Sequence, residues 1–234
     1  MSMNKGVKII AIDTATDYLA FGIYADGKIV FEKTVFAPKR HSEILPNLLK
    51  TALSESNLSL SEISHVALSI GPGSYTGLRV GVSFIQGLVF AKPEIKIVGV
   101  DTLQAIAFTF APCEYPIAVA YDAKAGAIYG AIFDAHSLEP TPLLDSKALP
   151  PDEFVEMLSK YQKLMLCGDY ANKIIPQLEP EKVVLPKIPV TPQARNLIAL
   201  AIEQIKRNEF IPPEKLEPKY LREFVPKIKS KQKE

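Results

Sequence analysis

The sequence predicts an α/β protein built as two tandem lobes, each a mixed sheet with flanking helices. Two observations lead to this class. Hydrophobic runs alternate between strand and helix periods along the chain, and residues 116–137 repeat the pattern of residues 8–28. VKIIAIDTA (7–15) is a continuous apolar run ended by a polar turn, the mark of a central strand buried on both faces. YLAFGIYADGKIVFEKTVF (18–36) supplies two more strands joined at Asp26-Gly27, a hairpin dipeptide. In HSEILPNLLKTALSESN (41–57), Ile44, Leu45, Leu48, Leu49 and Leu53 share one helical stripe, with Ser42 the expected N-cap. HVALSIGPG (65–73) reads as a strand, 77–91 as a helix, KIVGVDT (96–102) as a strand and LQAIAFTF (103–110) as a short helix, giving βββαβαβα.

The second half opens as the first does. Ala120-Tyr121-Asp122-Ala123 aligns with Ala11-Ile12-Asp13-Thr14, and Tyr129-Gly130 with Phe21-Gly22, so each half begins with a buried strand, an aspartate at its end and a hairpin. A helix over 153–162, a strand over 163–171, a helix over 171–178, a short strand KVVL (182–185) and a long helix over 192–208 follow. Pro140, Pro142, Pro150 and Pro151 read as loop punctuation. The expected division is a first lobe at 1–110, a second at 111–225 and a frayed Lys-rich tail at 226–234. Lobes that start with three antiparallel strands and continue with βαβ units have the topology of the actin and sugar kinase superfamily, the ASKHA or RNase H-like fold. Its two Asp-bearing turns face a central cleft, and ligands lie at the carboxyl ends of the strands.

Composition narrows the function. The 234 residues carry 27 basic and 26 acidic side chains, so no strong field draws in nucleic acid or an anionic membrane, and for any RNA a partner is expected to supply most of the grip. Cys113 and Cys167 lie in or beside apolar segments and read as small hydrophobes in a reducing compartment. No apolar run is long enough to span a bilayer, and the opening residues lack a signal-peptide pattern, so a cytoplasmic protein with no membrane association is expected.

The stretch SIGPGSYTGLRVGVSFIQGLVFAK (69–92) carries the most information. Its glycines fit neither G-x-G-x-x-G nor a Gly-Lys-Ser/Thr phosphate loop, and Ser74 is not in a G-x-S-x-G elbow. From Gly77 to Ala91 only Arg79, Ser83 and Gln86 are polar. Either the helix lies in the core, or a second chain covers one face. Asp13, Thr14 and Thr16 form the first-lobe turn; in an actin-like cleft such a turn approaches a nucleotide phosphate or its Mg²⁺, and otherwise it is a turn closed by its own side chains. The second turn has alanine at 123 and 125, which removes the hydroxyls. His41, His65 and His136 have no metal-ligand spacing, so neither a metal site nor catalytic residues are expected.

GPGSYTGLRVG, together with AIDTATDYLAFGIY, HSEILPNLL, DAKAGAIYGAIFD and EPKYLRE, resembles the TsaB (YeaZ) family, the non-catalytic partner in bacterial synthesis of threonylcarbamoyladenosine on tRNA. The resemblance implies an accessory scaffold that pairs with the catalytic subunit TsaD, is joined by the ATPase TsaE, forms a homodimer when alone, and serves threonylcarbamoyl transfer to N6 of adenosine 37 in tRNAs reading ANN codons. It implies no cofactor of its own, with ATP and Mg²⁺ at most at a shared interface. The interface it points to is His41, Leu45, Leu48, Leu49, Tyr75, Thr76, Gly77, Arg79, Val80, Gly81 and Phe84. TsaD carries metal-binding histidines in an H-x-x-x-H pattern where this chain has Thr102 and Ile106. The family's common first-turn serine is Ala15 here, and Lys124, Ala127 and Ile128 depart from its second turn. Tyr220-Leu221-Arg222 matches well and serves either to close a lobe or to touch a partner. The rival reading is an actin-like ATPase or small-molecule kinase using Asp13 and the interlobe cleft.

Overall fold

The computed structural model describes residues 6–221; the Lys-rich tail at 226–234 and Arg222 lie outside the described residues. Two five-stranded sheets share one topology. The first runs β3-β2-β1-β4-β5, formed by β1 (Ile9–Asp13), β2 (Tyr18–Ala25), β3 (Lys28–Phe36), β4 (His65–Gly71) and β5 (Lys96–Asp101). The second runs β8-β7-β6-β9-β10, formed by β6 (Ile117–Asp122), β7 (Ile128–Asp134), β8 (Thr141–Leu149), β9 (Leu164–Cys167) and β10 (Val183–Val184). In each, a three-stranded antiparallel meander is extended by two parallel strands. The duplication read from residues 8–28 and 116–137 is therefore real at the level of strand order, and the molecule has the two-lobed actin-like fold.

The helices are α1 (His41–Glu55), α2 (Tyr75–Ala91), α3 (Thr102–Ala107), α4 (Pro151–Ser159), α5 (Ala171–Ile174) and α6 (Ala194–Lys206). β1 is buried at every position, as its unbroken apolar run requires. Alternate side chains then feed two cores: Ile10 and Ile12 pack with α1 and α2, whereas Ile9 and Ala11 pack with α6. No helix among the described residues is long and apolar enough to cross a membrane.

Three expectations are corrected. Ser42 is not the N-cap of α1: the helix starts at His41 after Arg40, without a side-chain cap, and the His41 ring nitrogen Nε2 donates to the Tyr18 carbonyl at 3.3 Å. Residues 141–149, read as loop because of Pro142, form β8. β8 is an edge strand, where proline is tolerated because a missing N–H can face solvent. Pro150 and Pro151 open α4 rather than break structure, proline being well suited to the first turn of a helix.

The third correction concerns the lobe boundary, drawn so that 111–225 belonged to the second lobe. α6 lies on the first sheet, where Ala194, Leu197, Ile198, Leu200 and Ala201 pack against Ile9, Ala11, Ala20, Val98 and Val100. A Cβ on Gly22 would stand 2.8 Å from that of Ala194, so this glycine lets the helix come close. Reciprocally, Leu103, Ile106 and Ala107 of α3 pack with Ile117, Val119 and Phe133 of the second sheet. The two helices are tied where Asn196 Nδ2 donates to the Ala105 carbonyl and to Thr109 Oγ1, both at 2.9 Å. Helix period and apolar spacing are read from the sequence, but which sheet a helix covers is a long-range choice that they do not encode. Leu197→Ala should cost about 3 kcal/mol, as removal of a fully buried leucine does. Denaturant unfolding followed by hydrogen exchange should show the first sheet, not the second, losing protection.

Candidate functional site

The glycine stretch lies directly over the first-lobe turn. β1 ends at Asp13, and the chain between β4 and α2 crosses above it, with the Ser74 N–H donating to the Ala15 carbonyl at 2.7 Å. A Cβ on Gly73 would collide with the Ala15 carbonyl oxygen and one on Gly77 with that of Thr14; one on Gly81 would sit 2.6 Å from the Thr14 hydroxyl and 2.9 Å from Leu68 Cδ1. Gly73 and Gly77 therefore serve backbone-on-backbone contact, and Gly81 lets the helix pack closely on the Thr14 and Leu68 side chains. Ser74 then caps α2 by accepting the Gly77 N–H at 3.3 Å.

Asp13 and Thr14 are fully buried beneath this loop, whereas Thr16 reaches the cleft between the lobes. One Asp13 oxygen accepts the Ala15 N–H at 2.8 Å, and its second oxygen and the Thr14 hydroxyl are buried without a partner. Thr16 Oγ1 accepts the Tyr18 N–H at 3.1 Å. In the second turn, Asp122 holds Lys124 by Nζ at 3.0 Å and by its N–H at 2.7 Å. These residues do not fit a Mg²⁺-nucleotide: the carboxylate and hydroxyl that would meet metal and phosphate face the protein interior, and the one lysine of the opposite turn is paired. Among the described residues no group of three His, Cys, Asp or Glu is placed to hold a metal.

Burial pushes the Asp13 carboxyl up to about 6, against the lowering influence of the Ala15 N–H and the Ser69 hydroxyl. An acid whose folded value lies above its unfolded one binds its proton more tightly when folded. The charged form thus costs stability above about pH 6, and that cost vanishes as pH falls below about 4, a difference on the order of 3 kcal/mol. Asp13→Asn should stabilise the chain at pH 7.5 by up to about that amount more than at pH 4. Urea unfolding of both proteins at the two pH values checks this, and a gain independent of pH would contradict it.

The residues expected to meet a partner divide into two groups. His41, Leu45, Leu48, Gly77 and Gly81 are buried in this chain's own core. Leu49, Val80 and Phe84 are half-buried, packed on that core with one side outward, while Thr76 and Arg79 are exposed and Tyr75 is partly so. Tyr75 stacks on Tyr220 with ring centroids 4.9 Å apart, and Arg79 Nη1 donates to the Tyr75 hydroxyl at 2.7 Å. Tyr220 thus closes the chain onto the start of α2. Phe90, which the sequence reading passed over, is 90% exposed near the end of the same helix. Its signal was present, since an apolar residue one step beyond the buried Val89 falls on the outer face.

At the positions where TsaD carries metal-binding histidines, the Thr102 hydroxyl shares a hydrogen bond of 2.7 Å with Ser69 and Ile106 is core. Cys167 is buried, which pushes its thiol up to about 12, and Cys113 is half-buried; both are free.

Residues 35–145, which include α1, α2 and α3, match the family model described as "TsaD: tRNA N6-adenosine threonylcarbamoyltransferase". The chain is 35% identical over 103 residues to the tRNA threonylcarbamoyladenosine biosynthesis protein TsaB of Escherichia coli, covering 43% of each chain. It is 34% identical over 125 residues to TsaB of Buchnera aphidicola, covering 52% of this chain and 58% of that one. Over these regions the chain is similar to TsaB proteins of several bacteria. It spans about half the length of these curated relatives in the matched regions. The fold extends further than the sequence match: a Pseudomonas aeruginosa protein described as similar to peptidase YeaZ superposes with a TM-score of 0.82 at 23% identity, over 92% of this chain and 100% of that one. In this chain the glycine loop seats α2 against the first turn, and the outer face of α2 carries Arg79 as its single charge.

Proposed function

We propose that this protein takes part in tRNA threonylcarbamoyladenosine biosynthesis as a non-catalytic scaffold that holds a threonylcarbamoyltransferase subunit against the outer face of α1 and α2. One observation carries the reading. The exposed and half-exposed positions of α2, namely Tyr75, Thr76, Arg79, Val80, Ser83, Phe84, Gln86, Gly87, Phe90 and Ala91, include a single charge. A helix face meant for water carries many more, and apolar surface of this kind marks a contact with another protein. The match of residues 35–145 to the transferase family supports a partner with an equivalent helix pair, so that the two chains meet face to face in pseudo-two-fold fashion. A second copy of this chain would use the same face when the transferase is absent.

In this reading the chemistry, transfer of threonylcarbamoyl to N6 of adenosine 37 in tRNAs reading ANN codons, belongs to the partner. TsaE joins as the ATPase, tRNA is met mainly through the other subunits, and the assembly works in the cytoplasm. The near-zero net charge supports an indirect role toward tRNA. The sealed Asp13-Thr14 turn and the loss of the histidine pair to Thr102 and Ile106 weigh against an independent ATPase, kinase or metal enzyme. The wall of α3 and α6 between the lobes weighs the same way, because it braces the cleft against closure. The experiment is co-purification of this chain with the transferase subunit of its own organism, followed by sedimentation. A stoichiometric complex is expected, and two separate species at micromolar concentration would overturn the reading.

A further inference from the structure

The outer face of α2 presents one charge, Arg79, and the surrounding structure holds that charge in place. Arg79 Nη1 donates to the Tyr75 hydroxyl at 2.7 Å, with the guanidinium carbon 5.3 Å from the centre of the Tyr75 ring. Tyr75 in turn stacks on Tyr220, whose ring centroid is 4.9 Å away. The chain leading to Tyr220 is tied to the first sheet at successive points. The Ile211 N–H donates to the Ile97 carbonyl at 2.9 Å, and the Lys219 N–H donates to the Ile70 carbonyl at 2.7 Å. Between them Leu216 is buried in the core that α1 and α2 share, and Lys219 Nζ pairs with Asp101 at 3.2 Å. This strap therefore buttresses Tyr75, and Tyr75 orients Arg79.

Among the described residues no carboxylate forms an ion pair with Arg79. The tyrosine engages one nitrogen and leaves the rest of a planar, oriented fork, the geometry that suits a carboxylate. Its neighbours on the helix face, Thr76, Val80 and Ser83, are uncharged. A guanidinium covered among such neighbours loses its water and needs an anion from the covering chain. A second copy of this chain is a poor source. Its α2 has no acidic residue, and on its α1 Glu43 is held by Arg40 at 2.8 Å, leaving only Glu55 at the last residue of that helix. We infer that Arg79 is the specificity-determining residue of the α2 face: it pairs with a carboxylate of the transferase subunit and so favours that partner over a second copy of this chain. The inference rests on the scaffold reading above and adds the chemistry by which the partner is chosen. Tyr75 and Tyr220 act through Arg79 as positioning residues.

The test measures affinity of the whole chain for the transferase subunit by calorimetry, and self-association by sedimentation, for wild type, Arg79→Met, Arg79→Lys and Tyr75→Phe. Methionine keeps an apolar stem at an exposed position, so the melting temperature of Arg79→Met should match the parent's. Its transferase complex should weaken by about tenfold or more and lose the salt dependence of the wild-type complex, while self-association is unchanged or tighter. Arg79→Lys keeps the charge without the fork and should fall between the two. Tyr75→Phe, which removes only the hydroxyl that orients the guanidinium, should weaken the transferase complex several-fold. Undiminished transferase binding by Arg79→Met, or an equal loss in both associations, would overturn the inference while leaving the scaffold reading intact. Absence of a wild-type complex would overturn the scaffold reading itself, and this inference with it.

Discussion

Gly77→Ala is expected to cost about 3 kcal/mol or more, and so to lower the melting temperature by roughly 10 °C, although it adds a single methyl group to a helix. The methyl would collide with the Thr14 carbonyl oxygen. Neither partner gives way easily, because the buried Thr14 directly follows the buried strand β1 and Gly77 is fixed by the Ser74 cap. Gly87→Ala on the same helix supplies the contrast. A Cβ there meets nothing within 4 Å, so only helix propensity changes and the variant should gain about 1 kcal/mol. Thermal unfolding of the two variants side by side separates close approach from flexibility as the reason for these glycines. Equal effects of the same sign would refute the account of the loop.

The second large effect concerns association. Ser83 is exposed and Gly87 has open space beside it, so Ser83→Arg and Gly87→Arg place bulk and charge on the outer face of α2 without entering the core. Each should weaken binding to the transferase subunit by about 100-fold, roughly 3 kcal/mol, through steric exclusion and a charge buried without a partner. The stability of Ser83→Arg should stay within about 0.5 kcal/mol of the parent, and Gly87→Arg should gain up to about 1 kcal/mol from helix propensity. Leu45→Asp and Gly81→Arg would not serve as interface tests. Leu45 is fully buried, and a side chain at Gly81 runs into Thr14 and Leu68, so both variants fail through folding. Binding by calorimetry alongside a melting curve distinguishes the two kinds of loss.

Much of this architecture was legible in the sequence because local periods report it. The run IIAID announces a strand buried on both faces, Asp26-Gly27 announces a hairpin, and the second half repeats the first closely enough to foretell a second sheet with the same strand order. What stayed hidden was long-range. Nothing in the spacing of Leu197, Ile198 and Leu200 says that α6 returns to the first sheet rather than covering the second. Pro142 reads as a loop until its strand is known to lie at an edge. At the site, the apolar character of α2 was visible, but its division was not. Helical position alone places Leu78 and Val82 inside and Ser83 and Gln86 outside only once the sheet beneath is known. Asp13 and Thr14 illustrate the same limit. Their residue types suit a phosphate turn, and only the path of the glycine loop above them shows that they face the interior.

The most direct test of the central claim is threonylcarbamoylation of tRNA in a reconstituted mixture of transferase, ATPase and threonylcarbamoyl-adenylate, with this chain omitted, supplied as wild type, or supplied as Ser83→Arg. The account predicts modification that requires the wild-type chain and falls to the level of its omission with the variant. Full modification without the chain, or modification by the chain in the absence of the transferase, would contradict it.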